Sequence, residues 1–120
     1  MKIVINSEYG GFRLSKTGVM YYADLKGITV WPVRSDWGDI RYYTVPPEER
    51  VRSKELEQIL FPNDIPRNDP ALVQTVEDLG RVANGRHATL KVVEIPDDVE
   101  WEIDSHDGRE AIVEKHREWS

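Results

Sequence analysis

The sequence contains no cysteine, which excludes disulfides, thiolate nucleophiles and cysteine-ligated zinc. It also lacks any apolar run approaching the roughly 20 residues of a membrane-spanning helix, and the apolar run at its N-terminus stops at Ile5. No repeat, low-complexity segment or linker divides the chain. We therefore expect a single domain over residues 1–120 that is soluble, cytoplasmic and without a signal peptide.

Positive charge is in deficit, because 16 Lys and Arg face 22 Asp and Glu for a net charge of −6. Proteins that bind duplex nucleic acid or anionic membranes present a net basic face, so we expect neither partner. Ten of the sixteen cations are nevertheless arginine, whose planar guanidinium binds phosphate bidentately and stacks on bases. This balance suits a small anionic ligand better than a polymer.

Sequence motifs for catalysis and for phosphate loops are also missing. There is no GxSxG elbow, and Gly10-Gly11 is not part of a GxGxxG or GxxxxGK[ST] loop. The histidines, His87, His106 and His116, are scattered without HxH or HExxH spacing. We therefore expect no catalytic residue, no metal site and no cofactor.

The helix signals and strand signals together predict an α+β domain. A long helix is predicted over about residues 69–84, with Asp69 as N-cap and Pro70 in the first helical position. A shorter N-terminal helix is predicted from the N-cap Ser15 to about Lys26, ended by Gly27.

The strands are expected to form one mostly antiparallel sheet against the long helix. Apolar runs and alternation predict strands at residues 3–5, 28–33, 40–45, 88–95 and 99–103. Asp107-Gly108 is a hairpin signal, so a returning strand is favoured after it over a terminal helix. A short helix with Leu56, Ile59 and Leu60 on one face is predicted within residues 48–60.

The feature that most suggests a function is the position of two arginines, one before a helix start and one beside aromatic residues. Arg67 precedes the helix that begins at Asp69, where a guanidinium can hold an anion near the first-turn N–H groups. Arg117 lies between His116 and Trp119, and a cation beside an aromatic ring can clamp a nucleobase. The alternative is that these residues are structural: the arginine stems would cover the core, and Trp119 would close the edge of the core.

Aromatic residues crowd one short stretch that contains Trp31, Trp37, Tyr42 and Tyr43. Large aromatic side chains are costly to leave exposed, so this stretch is either core or a contact surface. In a small domain with edge strands, a homo-oligomer interface is one such surface.

Three segments spread over about half of the chain resemble a family of small phage and prophage proteins: INSEYGGFRLS, IPRNDPALVQTVEDLG and LKVVEIPDDVEWEIDSHDGREAIVEKHREW. The family is that of the first-type Thoeris anti-defence sponges. The stretch from Ile28 to Leu60 matches no pattern of that family.

The resemblance implies a non-catalytic homo-oligomer, a hexamer, that holds cyclic ADP-ribose isomers between protomers and so starves a host immune effector. Some members also bind the cyclic oligonucleotides of a second defence system, CBASS, at separate sites. Such sites combine arginines on the pyrophosphate with aromatic rings on adenine. Carried onto this sequence, the ligand-binding candidates are Arg67, Arg109, Arg117, Phe12, His116, Trp119 and, for adenine or ribose, Asn84.

Two other functions remain open from the residues alone. The aromatic stretch and the acidic charge also fit a small inhibitor that blocks a host protein by direct binding. A nucleotide hydrolase that uses His and Asp or Glu with a divalent ion is the third alternative.

Overall fold

The computed structural model describes residues 1–115, which fold into two α-helices and short antiparallel strands. The α+β expectation is therefore confirmed. The helices are α1 (Lys16–Lys26) and α2 (Pro70–Leu79). The strands are β1 (Lys2–Asn6), β2 (Trp31–Arg34), β3 (Ile40–Tyr43), β4 (Ile59–Leu60), β5 (Leu90–Glu94), β6 (Trp101–His106) and β7 (Arg109–Glu114).

Helix α1 begins and ends where the sequence predicts. The Ser15 hydroxyl accepts a hydrogen bond from the Gly18 N–H at 2.9 Å, which caps the first turn. Gly27 ends the helix in the left-handed region at φ 70, a conformation that costs glycine little. Val19 and Tyr22 lie on the face that α1 turns to the core.

Helix α2 begins as predicted but ends early. Asp69 accepts from the Ala71 N–H at 2.8 Å, and Pro70 fills the first position. The predicted end near residue 84 is wrong, because the backbone leaves the helical region at Gly80 (φ 55, ψ −128) and a 3-10 turn follows over Gly80–Ala83. With 10 residues against 11 in α1, α2 is not the longer helix.

The expected single sheet is divided into three separate sheets, all antiparallel among the described residues. In the first, β1 pairs with β5, with Val4 opposite Val92. Val4 and Leu90 face the helices and join the core around Leu72. The other face of β1 packs against β7, which explains why Ile3 is fully buried although it points away from the helices.

The second sheet, β2-β3-β4, is formed within residues 28–60. Its first strand begins at Trp31, three residues later than predicted. The short helix expected within residues 48–60 is present only as 3-10 segments, Pro47–Glu49 and Arg52–Gln58. Its predicted apolar face is wrong, because Ile59 and Leu60 form β4. Lys54 leaves helical geometry, and Leu56 is 76% exposed because no apolar face forms there.

The third sheet is the β6–β7 hairpin, whose turn and returning strand are confirmed, whereas β6 runs over Trp101–His106 rather than the predicted 99–103. Asp107 (φ 51) and Gly108 (φ 88) both adopt positive φ, as a type I′ turn requires. The turn docks on Gly10-Gly11: the Gly10 N–H donates to the Asp107 carbonyl at 3.1 Å. A Cβ on Gly108 would lie 2.2 Å from the Gly11 nitrogen, so only glycine permits this approach.

None of the helices within residues 1–115 has the length and apolar character needed to cross a bilayer.

Candidate functional site

Arg67, the first ligand-binding candidate, is engaged in a buried ion pair. Its two terminal nitrogens donate to the carboxylate oxygens of Glu110 at 2.5 and 2.9 Å, and the two side chains are only 15% and 8% exposed. The Asn6 N–H donates to the same carboxylate at 2.8 Å. Arg67 thus ties the β6–β7 hairpin to the rest of the fold, and the predicted anion site before α2 does not form around it.

Phe12 is part of the same arrangement. The ring is 5% exposed, and the Arg67 guanidinium carbon lies 3.7 Å from its centre. This is a cation–π contact within the fold. One ring face is therefore covered, and Phe12 does not present a free surface for stacking on a base.

Arg109 lies apart from Arg67, in a cleft of about 610 Å³ between the β1–β5 sheet and β7. Its guanidinium is 5.9 Å from the Tyr9 ring. Two cations, Arg109 and Lys91, and two carboxylates, Asp104 and Glu110, line this cleft, and Glu110 is already paired with Arg67. The described residues therefore leave the cleft an excess of one positive charge for an anion.

Three further candidates, Arg117, His116 and Trp119, lie outside the described residues.

Asn84 lies in a different region from Arg67 and Arg109. It pairs with Leu14 in an isolated β-bridge, and its side-chain oxygen accepts from the Leu90 N–H at 2.9 Å. The side chain is half-buried and lines a groove between the start of α1 and the β2–β3 turn. The structure thus distributes the predicted residues over three places rather than assembling them in one.

The groove at Asn84 has a larger excess of positive charge than that cleft. It encloses about 600 Å³, and four cations and a single carboxylate, that of Asp39, line it. We refer to this surface as the cationic groove; its charged and aromatic lining is Arg13, Lys16, Arg34, Arg86, Asp39, Trp37 and Tyr42. An excess of three positive charges on a chain of net charge −6 is a local concentration of cations.

Backbone contacts between distant segments build the groove. The Gly85 N–H donates to the Arg13 carbonyl at 2.8 Å, which brings Arg13 and Arg86 to one wall. A Cβ on Gly85 would lie 2.7 Å from the Arg13 Cβ, so this close approach depends on glycine. Lys16 is the first residue of α1, and Arg34 ends β2 on the opposite wall.

The four groove cations have no counter-ion among the described residues. Within residues 1–115, none of Arg13, Lys16, Arg34 and Arg86 forms a side-chain hydrogen bond or an ion pair. The charge of Arg34 acts on Tyr42 in the groove floor: burial raises the pKa of the Tyr42 phenol, and the nearby Arg34 charge partly opposes that rise. No described residue accepts from the five donors of each groove guanidinium, so these donors are available to an external anion.

Trp37 stands at the rim of the groove with 92% of its surface exposed. The β2–β3 turn holds it there: the Ser35 N–H donates to the Asp39 carbonyl at 2.7 Å, and Gly38 adopts φ 91. An indole without packing partners beside several cations is suited to stacking on a planar ring. Within the aromatic stretch, Tyr42 belongs to the core and Trp37 lies at the surface. The stretch therefore supplies both a core residue and an exposed residue available for contact.

Sequence reasoning missed all four groove cations: Arg13, Lys16, Arg34 and Arg86. One local signal was present, because Arg13 and Arg86 each follow a glycine turn, Gly10-Gly11 and Gly85. No group of three or more His, Asp or Glu side chains within residues 1–115 has the arrangement of a metal site.

No protein-family model matches this sequence, and the searches of curated proteins and of solved structures likewise gave no match.

Proposed function

We propose that this protein captures a small phosphorylated ligand of the nucleotide class in the cationic groove and sequesters it without cleaving it. The ligand class we favour is a cyclic ADP-ribose isomer, or a cyclic oligonucleotide, acting as an immune signal. The protein would then be a phage anti-defence sponge in the host cytoplasm. The observation that carries the proposal is a groove which, within residues 1–115, is lined by four cations without an ion-pair partner and by one carboxylate, with an exposed tryptophan at its rim.

The chemistry of the groove suits a pyrophosphate joined to a base. Charge-assisted hydrogen bonds from guanidinium to phosphate are about twice as strong as neutral ones. Stacking a base on an aromatic side chain such as Trp37 adds about 1–3 kcal/mol. The volume of about 600 Å³ falls within the range of small-molecule sites, roughly 300–1,000 Å³.

The groove residues favour capture over cleavage. Hydrolysis of a phosphoester or glycosidic bond needs a positioned nucleophile and a general acid or base. The titratable lining of the groove consists of four cations, Tyr42 and Asp39. These groups can neutralise and orient phosphates, but they do not form a nucleophile–base pair.

A homo-oligomer, a hexamer in the family that the chain resembles, would complete the site. The groove lies at the surface of one protomer, where water weakens each ion pair. A second protomer placed over the groove would exclude that water and strengthen the contacts with phosphate. This arrangement would allow tight binding by a chain too small to enclose a ligand alone.

Native mass spectrometry with a cyclic ADP-ribose isomer tests the proposal. We expect a ligand-bound complex of the full ligand mass, and heating should release the ligand intact. Arg34→Gln and Arg86→Gln should each weaken binding by about tenfold or more, since each removes a charged partner. Arg81→Gln is the matched control, because Arg81 is exposed in the 3-10 turn and lies outside the groove lining.

Absence of binding at micromolar ligand would refute the proposal. Recovery of a hydrolysed product, especially one that a chelator prevents, would support the metal-dependent hydrolase instead.

The 92% exposure of Trp37 also favours a second function, direct inhibition of a host protein. In that case, pull-down from host lysate should recover a stoichiometric partner. Trp37→Ala should abolish that recovery, whereas Arg34→Gln should lower nucleotide binding and leave the partner bound.

A further inference from the structure

Strand β3 separates the cationic groove from a second cluster of arginines on its opposite face. Successive side chains of a strand point to opposite sides. Ile40 and Tyr42 line the groove, whereas Arg41 and Tyr43 line a separate pocket of about 380 Å³. We refer to this as the arginine pocket; its charged and polar lining is Arg41, Arg50, Arg52, Tyr43, Glu55 and Gln58.

Arg50 is held in the pocket with its hydrogen-bonding capacity unused. Its guanidinium carbon lies 3.9 Å from the centre of the Tyr43 ring, so the side chain is stacked in place. Its Nε atom is buried and has no hydrogen-bond partner within residues 1–115. A buried N–H without an acceptor is costly, and an anion in the pocket would bind the terminal nitrogens of the same guanidinium, for which the described residues supply no acceptor.

Glu55 is the sole carboxylate that the described residues place in the pocket, and it already accepts two hydrogen bonds. Its Oε1 accepts from Arg41 at 2.7 Å and from the Tyr43 hydroxyl at 3.0 Å. Arg50 and Arg52 make no ion pair with it or with any other described residue. Three guanidinium groups against one carboxylate leave two positive charges without compensation.

We infer that the arginine pocket is a second anion-binding site, which takes a small phosphate compound with two or more negative charges, such as a phosphate monoester or pyrophosphate. Two uncompensated positive charges favour such an anion, and guanidinium donors match the tetrahedral oxygens of phosphate. The site does not depend on the cationic groove, because the two lie on opposite faces of β3 and share no lining residue.

Titration with sodium pyrophosphate, followed by NMR of the arginine Nε–Hε groups and by calorimetry, tests this site. We expect the Arg50 Nε–Hε resonance to move during the titration. Arg50→Gln should weaken binding at this site by about tenfold or more, since it removes the buried unpaired donor and one charge. Arg81→Gln again serves as an exposed control and should bind as the wild type does.

Glu55→Gln gives the sharpest result, because it should strengthen pyrophosphate binding. The amide oxygen of glutamine still accepts from Arg41 and Tyr43, so the pocket keeps its shape while it loses its competing negative charge. A pocket whose arginines only stabilise the fold would show no such gain. Tighter binding in Glu55→Gln together with weaker binding in Arg50→Gln would support the inference.

Three results would overturn it: an Arg50 resonance that pyrophosphate at millimolar concentration does not move, equal affinities in wild type and Arg50→Gln, or weaker binding in Glu55→Gln. Succinate binding as tight as pyrophosphate would overturn the assignment to phosphate. Arg34→Gln separates this site from the proposed function, because it affects the groove and should leave the movement of the Arg50 resonance unchanged.

Discussion

Replacing Arg67 by alanine should destabilise the protein more than any substitution of an exposed arginine. The change removes both hydrogen bonds to Glu110 and leaves that carboxylate, 8% exposed, with the Asn6 N–H as its remaining partner. Breaking a buried pair by removing one partner costs about 3–5 kcal/mol. Whole domains are stable by roughly 5–15 kcal/mol, so the loss is a large fraction of the total.

Urea unfolding followed by tryptophan fluorescence and circular dichroism measures the loss of free energy. We expect a lower midpoint at an unchanged slope, and a melting temperature reduced on the order of 10–20 °C. Arg67→Lys should fall between wild type and alanine, because lysine keeps the charge but neither binds bidentately nor stacks on Phe12 in the same way. Arg81→Ala, at an exposed position, should change stability by about 0.5 kcal/mol or less.

A double-mutant cycle with Glu110→Gln separates the pair from the packing of each side chain. We expect the two substitutions to be strongly non-additive, since either one already breaks the pair. A loss below about 1 kcal/mol in Arg67→Ala, the size of a surface ion pair, would refute the reasoning. Additive losses would show that the destabilisation in Arg67→Ala does not come from losing the ion pair with Glu110.

Two further predictions concern the hairpin turn and alkaline pH. Gly108→Ala and Gly38→Ala both place alanine at positive φ, but only the first Cβ meets a neighbour, the Gly11 nitrogen at 2.2 Å. In urea unfolding, Gly108→Ala should therefore lose about 1–3 kcal/mol more free energy of unfolding than Gly38→Ala loses. Equal losses in the two variants would contradict the close approach of Gly108 to Gly11. Burial and the hydrogen bond to Asp69 raise the pKa of Tyr22 to about 12, against about 10 in an unfolded chain. The stability conferred by this phenol is complete below pH 10 and is lost as the pH rises toward 12. In Tyr22→Phe, the urea midpoint should therefore fall less steeply between pH 10 and pH 12 than in the wild type. An unchanged slope would be evidence against a raised pKa of Tyr22.

The elements that the sequence predicted correctly are those specified by local backbone chemistry. Each of these signals acts on atoms within three residues along the chain, so the neighbouring sequence is enough to predict its effect. The signals are the Ser15 cap, the Asp69 cap and the Asp107-Gly108 turn. The end of α2 was missed because the apolar stripe continues to Ala83. The backbone at Gly80 ends the helix despite that stripe.

The candidate site was harder to predict because its charge depends on partners far away in sequence. Arg67 resembled a free cation in the sequence, yet Glu110, 43 residues further on, neutralises it. Arg13, Arg34 and Arg86 come from three separate segments that meet only in the folded chain. A sequence pattern shows where arginines are, but only the fold shows which of them lack a carboxylate.

The pairing of β1 has a consequence for synthesis of the chain on the ribosome. Ile3 pairs across from Val93, the Val4 N–H donates to the Arg67 carbonyl, and the Asn6 N–H donates to Glu110. At about 5–20 residues per second, the partner strand emerges on the order of 5–20 s after β1 does. During that interval an apolar β-branched segment has no partner and is prone to pair with other chains. The long sequence separation of these contacts also predicts slow refolding, in the range of milliseconds to seconds.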